Sequence, residues 1–321
     1  MSKSLHVSSN PHIRDRVTTR GIMLNVILAL LPATAFGVYQ FGLRALLVIL
    51  VTVAASVLSE AVYLKLMHKE MSGDGSAIVT GLLLALNLPV GIPYWMAAIG
   101  AFFAIIVVKQ LFGGLGQNLM NPALGARCLM LISFTQPMTA FVCDGVAGAT
   151  PLAVIKNGGE FPLTKMFLGN CGGTIGETCA LALIIGGVYL IITKLIDWRI
   201  PVVYIASFAV FMLLFAGRGF DTYYLAQEIC GGGLLLGAFF MATDYVTSRI
   251  THKGRIIFGI FLGIMTGCIR LFSESAEGVS YAIIIGNILV PLIDKISMPT
   301  GFGIPKKPLF GRKEGNTDGS K

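Results

Sequence analysis

Apolar residues gather into ten stretches: Gly21–Gly42, Leu43–Met67, Ala77–Val90, Pro93–Phe112, Leu119–Phe134, Thr174–Ile196, Ile200–Ala216, Cys230–Tyr245, Arg255–Leu271 and Val279–Ile296. A helix needs about 20 residues to cross the hydrocarbon core of a bilayer. Five of the ten stretches fall clearly short of that or are broken by polar residues. Residues Met1 to Arg20 are polar and basic, and no small-residue cleavage pattern follows the first apolar run, so this is not a signal peptide. Only helices satisfy their own backbone in lipid at these lengths. The expected fold is an all-α polytopic membrane protein.

The short stretches are placed with a period. Dividing the chain at residues 136–173 leaves five segments on each side, and in both halves the third and fifth are short or polar. Gly81-Leu-Leu-Leu-Ala85 in one third segment corresponds to Gly237-Ala-Phe-Phe-Met241 in the other, an offset of 156. The fourth segments end in Leu111-Phe112 and Leu271-Phe272, an offset of 160. An odd number of spans per half gives the halves opposite orientation, which is the pattern of an inverted repeat with its site where the broken segments meet. The expected organisation is a cytoplasmic segment 1–20, a first repeat 21–135, an extracytoplasmic loop 136–173, a second repeat 174–298 and a disordered cytoplasmic tail 299–321.

Composition and charge sharpen this. Hydrophobic residues make up 55% of the 321 positions and charged residues 12%, half the share of a soluble domain. An ordinary soluble enzyme and a disordered chain are excluded. The net charge of +8 does not signal nucleic acid here, because with an inside N-terminus 18 of the 24 Lys and Arg fall in inner segments. Both termini are therefore expected in the cytoplasm. The six cysteines form no CxxC pair, no phosphate-binding glycine loop is readable, and the four histidines all lie in inner polar segments, where solvated surface positions are expected.

A 38-residue connection with no structure of its own is usually functional or disordered, and 136–173 is such a connection. It contains Asp144-Gly-Val-Ala-Gly-Ala-Thr150-Pro, which by itself reads as a glycine-rich turn. The same stretch resembles the flavinylation motif of membrane subunits in the Rnf and sodium-pumping NADH:quinone oxidoreductase families. Asp144, Gly148, Ala149 and Thr150 match that motif, while Ala147 stands where the family usually carries a hydroxyl residue. Further blocks are similar to the Rnf D subunit: Ser9-Asn-Pro-His-Ile-Arg14, Gly73-Asp-Gly-Ser-Ala77, Thr80 to Pro89, Asn121-Pro-Ala-Leu-Gly-Ala-Arg127, and Met241-Ala-Thr-Asp244.

The resemblance implies a subunit of an ion-translocating ferredoxin:NAD oxidoreductase in a bacterial or archaeal cytoplasmic membrane. It implies FMN joined through its phosphate to Thr150 by a flavin transferase, a second and non-covalent flavin, riboflavin, and the other subunits of the complex as partners. Two readings without that chemistry stand beside it, a channel or carrier built on an inverted repeat and a structural anchor subunit. Asn121 and Pro122 open the fifth segment. Arg127 lies inside it, where an unpaired charge costs at least about 2.5–3.5 kcal/mol. It either pairs with a carboxylate such as Glu60 or faces the flavin. Asp244 and Asn287 are expected in the bundle interior, and Glu177 and Arg270 as anchors at outer span ends.

Overall fold

The computed structural model describes residues 17–69, 73–143, 146–148, 150–169, 171–245, 251–273 and 278–298. The sequence expectations for the N-terminal segment, the C-terminal tail, Asp144 and Ala149 lie outside the described residues. Each of the ten apolar stretches contains a helix. In the first half these are α1 (Thr19–Phe41), α2 (Leu43–Leu66), α3 (Ser76–Leu86), α4 (Tyr94–Phe102) and α5 (Pro122–Ser133). A π-helical stretch, Phe103–Gln110, continues α4. The long connection holds α6 (Thr135–Thr139), β1 (Val142–Cys143), β2 (Val146–Ala147), α7 (Pro151–Lys156) and α8 (Leu163–Leu168). The second half has α9 (Ala180–Ile192), α10 (Arg199–Phe215), α11 (Thr222–Cys230), α12 (Leu234–Leu236) with a π-helical continuation Gly237–Met241, α13 (His252–Phe272), α14 (Val279–Ile288) and α15 (Val290–Ser297).

Two features differ from expectation. The long connection is structured, with three short helices and an antiparallel hairpin that pairs Val142 with Ala147 and Cys143 with Val146. That hairpin is the one two-stranded sheet among the described residues, in an otherwise helical chain. By length and composition α1, α2 and α13 can each cross a membrane, and the bent pairs α11–α12 (63°) and α14–α15 (55°) raise the number to five. The remaining apolar helices are shorter. Large apolar side chains such as Leu47, Leu50 and Leu58 on α2 are exposed, as a lipid-facing surface requires.

Without a hydrophobic drive between helices in lipid, small residues let backbones approach. Gly259, Gly263 and Gly267 form one such face on α13, packed on α10. A Cβ at Gly263 would lie 2.6 Å from the Phe208 nitrogen and 2.8 Å from the Tyr204 oxygen. Gly186 does the same between α9 and α1, where a Cβ would lie 2.1 Å from the Ala29 oxygen.

The two third helices start alike. α3 is preceded by Gly75 at φ 78° and α12 by Gly233 at φ 67°, left-handed conformations that favour glycine. Each start is held by a cation from the end of the fourth helical segment. Lys109 Nζ donates to Ser76 Oγ at 2.6 Å, and Arg270 Nη2 donates to the carbonyls of Gly231 at 2.9 Å and Gly232 at 3.2 Å. The far end of α3 is tied to the second half. Its C-terminal carbonyls would otherwise lack partners. Leu86 and Leu88 oxygens accept from Gly176 and Ile175 nitrogens at 2.8 and 3.1 Å, beside a bridge between Pro89 and Thr174.

Candidate functional site

Thr150 is half-buried and is the N-cap of α7. Its extended backbone (φ −63°, ψ 153°) turns Oγ1 toward the Ala153 N–H at 3.4 Å, and Pro151 fills the first helical position. An ester at Oγ1 removes the hydroxyl proton but leaves an acceptor lone pair, so capping and modification are chemically compatible. The residue opens on a crevice of about 20 Å³ that it shares with Cys171, Glu177, Cys230 and Gly232. That is room for about one water. A flavin ring tethered here must lie outside the crevice. Gly148 is exposed, donates to the Phe141 oxygen at 3.1 Å, and has open space where a side chain would be.

Arg127 points into the bundle from α5. It donates to Glu177 Oε1 at 3.0 Å and to Asn87 Oδ1, with side-chain exposures of 4% for Arg127 and 5% for Glu177. Arg127 is paired with a carboxylate, one of the two expectations for it, but the identity of that partner and the expected place of Glu177 need correction. The carboxylate is Glu177, not Glu60, because the 174–178 segment is hydrogen-bonded to the end of α3 and brings Glu177 beside Asn87. For the same reason Glu177 is no interfacial anchor. Arg270 is buried too, bound to Glu228 Oε2 at 2.9 Å. Glu60 belongs to a separate cluster, accepting from Lys109 Nζ at 2.6 Å and Gln110 Nε2 at 2.9 Å. Glu177, which lines the Thr150 crevice, joins Arg127 to it.

Asn121 sits elsewhere. It caps α5, its Oδ1 accepting from Ala123 N at 3.1 Å, and its Nδ2 donates to the Met241 oxygen at 3.4 Å. It faces a cavity of about 410 Å³ between the two halves, whose walls include Thr80, Lys109, Asn118, Phe239, Phe240 and Asp244. Asn118 Oδ1 is a buried acceptor with no hydrogen-bond partner among the described residues. The volume lies within the ~300–1,000 Å³ usual for small-molecule sites. The candidate residues thus form two sites, Thr150 and Gly148 at one, Asn121 at the other, with Arg127 between. Asn287 is buried as expected and both of its amide atoms lack partners among the described residues.

Sequence reasoning did not single out Asn87, Asn118 or Lys109. Lys109 in particular is 2% exposed rather than a solvated inner charge. A lysine inside an apolar run was the available signal, because an unpaired charge there would be costly.

The profile of the NQR2, RnfD, RnfE family matches residues 6–303. The chain belongs to that family. It is 48% identical over 313 residues to the D subunit of the Na(+)-translocating ferredoxin:NAD(+) oxidoreductase complex of Acetobacterium woodii, covering 94% of this chain and 96% of the relative. It is 43% identical over 316 residues to the D subunit of the proton-translocating ferredoxin:NAD(+) oxidoreductase complex of Clostridium ljungdahlii, covering 92% and 96%. The D subunit of the ion-translocating oxidoreductase complex of Stutzerimonas stutzeri is 38% identical over 339 residues, covering 91% and 95%. With these relatives and its apolar helices, the chain is a helical membrane protein.

Proposed function

We propose that this chain is the flavin-carrying subunit of an ion-translocating ferredoxin:NAD oxidoreductase complex. The observation that carries this is the near full-length identity to the D subunits of such complexes, 48% in the first case. The names of two relatives give different ions, Na+ and H+, so the coupling is proposed without a choice between them. The partners are the other subunits of the complex and, during maturation, a flavin transferase.

FMN is proposed to be esterified through its phosphate to Thr150. The covalent flavin supplies reversible electron storage. This chain's own residues fix where it is held. Thr150 presents a hydroxyl at the rim of a structured connection, and the exposed Gly148 leaves the approach to it open. Riboflavin is proposed for the 410 Å³ cavity. Asn118 Oδ1, without a hydrogen-bond partner among the described residues, offers an acceptor for a ring N–H, Asn121 lines the same wall, and Phe239 and Phe240 offer apolar area.

The arrangement proposed for the membrane is ten spans in two inverted halves, with both termini cytoplasmic and residues 136–173 outside. Matching glycine starts at α3 and α12, each clasped by a cation from its own fourth segment, support the repeat. Peptide mass spectrometry across residues 136–173 of the purified complex tests the flavin assignment. FMN mass on the Thr150 peptide, with loss of in-gel fluorescence in Thr150→Ala, is the expected result. A fluorescent Thr150→Ala chain, separated from other subunits, overturns it.

A further inference from the structure

α7 carries Thr150 at its start and Lys156 in its last turn. Six residues at 1.5 Å rise separate them by about 9 Å along the helix. Lys156 Nζ donates to the carbonyl of Arg270 at 2.9 Å and to that of Ser273, which pins α7 to the end of α13. Beside it lies a cleft of about 180 Å³ walled by Lys156, Arg218, Tyr224, Glu228 and Arg270. Leu152 is a wall of both this cleft and the Thr150 crevice, so the two adjoin.

The cleft has three cations and one carboxylate, a formal excess of +2. The carboxylate is already engaged, since Glu228 is bound by Arg270 at 2.9 Å. Arg270 is 4% exposed, and its Nε–H is buried without an acceptor among the described residues. Arg218 is anchored by one bond to the Ile155 oxygen at 3.2 Å and lies 4.7 Å from the Tyr224 ring centroid. A buried donor without an acceptor and an uncompensated positive charge are what a bound anion would relieve. The volume is below the ~300 Å³ that encloses a whole small molecule. The cleft therefore takes one edge of a ligand whose remainder lies outside.

We infer that this cleft seats the pyrimidine edge of the FMN attached at Thr150, with Lys156 and Arg218 stabilising its reduced anionic form. The inference rests on the Thr150 assignment. On reduction the flavin ring takes two electrons and one proton and keeps one negative charge on its N1–C2 carbonyl edge. In the complex the electrons come from a low-potential iron–sulfur donor, and in the test from dithionite. The ring is too large for the 20 Å³ crevice at Thr150. Its ribityl phosphate leads it along α7, where this cationic wall adjoins the crevice.

The test is a spectroelectrochemical titration of the covalent flavin in the purified complex, comparing wild type with Lys156→Met, Arg218→Met and Arg218→Lys. Lys156 and Arg218 are exposed at the rim, and among the described residues neither bonds the side chains of the buried Arg270–Glu228 pair. In-gel fluorescence is expected to persist in all variants. Each Met variant is expected to lose about tenfold in preference for the reduced flavin, about 30 mV for a two-electron couple. The break in the plot of potential against pH, where the reduced ring gains its second proton, is expected to move up. Arg218→Lys is expected to restore both. Unchanged potentials in both Met variants with flavin attached overturn the inference. So does a loss of co-purifying phospholipid phosphate with an unchanged potential, which identifies the cleft as a lipid headgroup site. A wild-type chain without covalent FMN is a distinct failure, of the Thr150 assignment itself, and takes the inference with it.

Discussion

Arg127 and Glu177 lie fifty residues apart in the chain, on either side of the long connection, and meet at 3.0 Å in a site from which both are almost wholly withdrawn from solvent. The pair joins α5 of the first half to the segment that opens the second. Asn87 at the end of α3 holds the same guanidinium. Removing one partner of a buried ion pair leaves the other charge uncompensated, at a cost of about 3–5 kcal/mol, whereas replacing both by uncharged groups is often close to neutral. Arg127→Leu is expected to lower the thermal midpoint in detergent sharply. Arg127→Leu combined with Glu177→Gln is expected to recover most of it. Equal loss in the single and double variants would show that the pair is not what the fold depends on here.

Thr150 has a structural duty separable from its proposed chemistry. As N-cap of α7 it stabilises by about 1 kcal/mol over alanine. Thr150→Ser keeps an oxygen acceptor, and Thr150→Ala does not. Measured in chains made without a flavin transferase, the alanine variant is expected to show faster proteolysis between residues 136 and 173 than the serine variant. Identical cleavage rates would argue against the cap.

Gly186 and Gly148 differ in what a side chain would meet. At Gly186 a Cβ would collide with the Ala29 backbone oxygen, so α9 and α1 would have to separate. At Gly148 it would meet nothing within 4 Å. Overpacking of this kind typically costs about 1–3 kcal/mol. Gly186→Leu is expected to reduce the folded monodisperse fraction on size exclusion, while Gly148→Ala leaves it unchanged. A normal elution profile for Gly186→Leu would contradict the close α1–α9 approach.

The helical segments are legible in the sequence because a helix bathed in lipid must be apolar around most of its circumference. The choice of ion-pair partners is not. Glu60 and Glu177 both look available to Arg127 in the linear chain. What selects Glu177 is the bridge between Pro89 and Thr174, a long-range backbone contact that no periodicity announces. Lys109 looks like one more inner-surface charge until the π-helical stretch that carries it turns it toward Glu60 and Ser76. The hydroxyl at Thr150 is visible in a short motif, whereas the cationic cleft next to it draws on α7, α13 and the α10–α11 turn and has no local signature.

Asp197, between α9 and α10, organises the cations at that end of the bundle. Partial burial pushes its carboxyl up, but the Arg199 backbone N–H and the Arg255 guanidinium outweigh this and hold it below its ordinary value of 3.8. A depressed carboxylate contributes stability above its unfolded pKa and loses it as pH falls through the lower, folded value. Acidification from pH 5 toward pH 3 and below is therefore expected to loosen the Asp197–Arg255 tie. Asp197→Asn is expected to be less stable at neutral pH and to show a smaller further loss on acidification. Parallel stability profiles for the two proteins would remove Asp197 from the acid response.

The proposed orientation rests on 18 of 24 basic residues lying in segments that fall on one side when ten spans are drawn. Cationic loops are retained in the cytoplasm during insertion, so the bias fixes a side for every loop at once. Two exposed lysines make the strongest comparison. Lys165, in the connection 136–173, is expected outside, and Lys253, at the start of α13, inside. The chain's own six cysteines could react with the probe, so a cysteine-less background is needed before either is replaced. An impermeant maleimide added to intact cells is expected to label Lys165→Cys and to leave Lys253→Cys untouched until the membrane is opened. A third variant, Lys306→Cys, is expected to behave like Lys253→Cys, because an even number of spans places both ends of the chain together. Labelling of Lys253→Cys and Lys306→Cys from outside, with Lys165→Cys protected, would invert the molecule. Labelling of Lys165→Cys and Lys306→Cys, with Lys253→Cys untouched, would leave an odd number of spans between Lys253 and Lys306. That would require either α13 alone or the α14–α15 pair alone to cross, and the inverted repeat would fall.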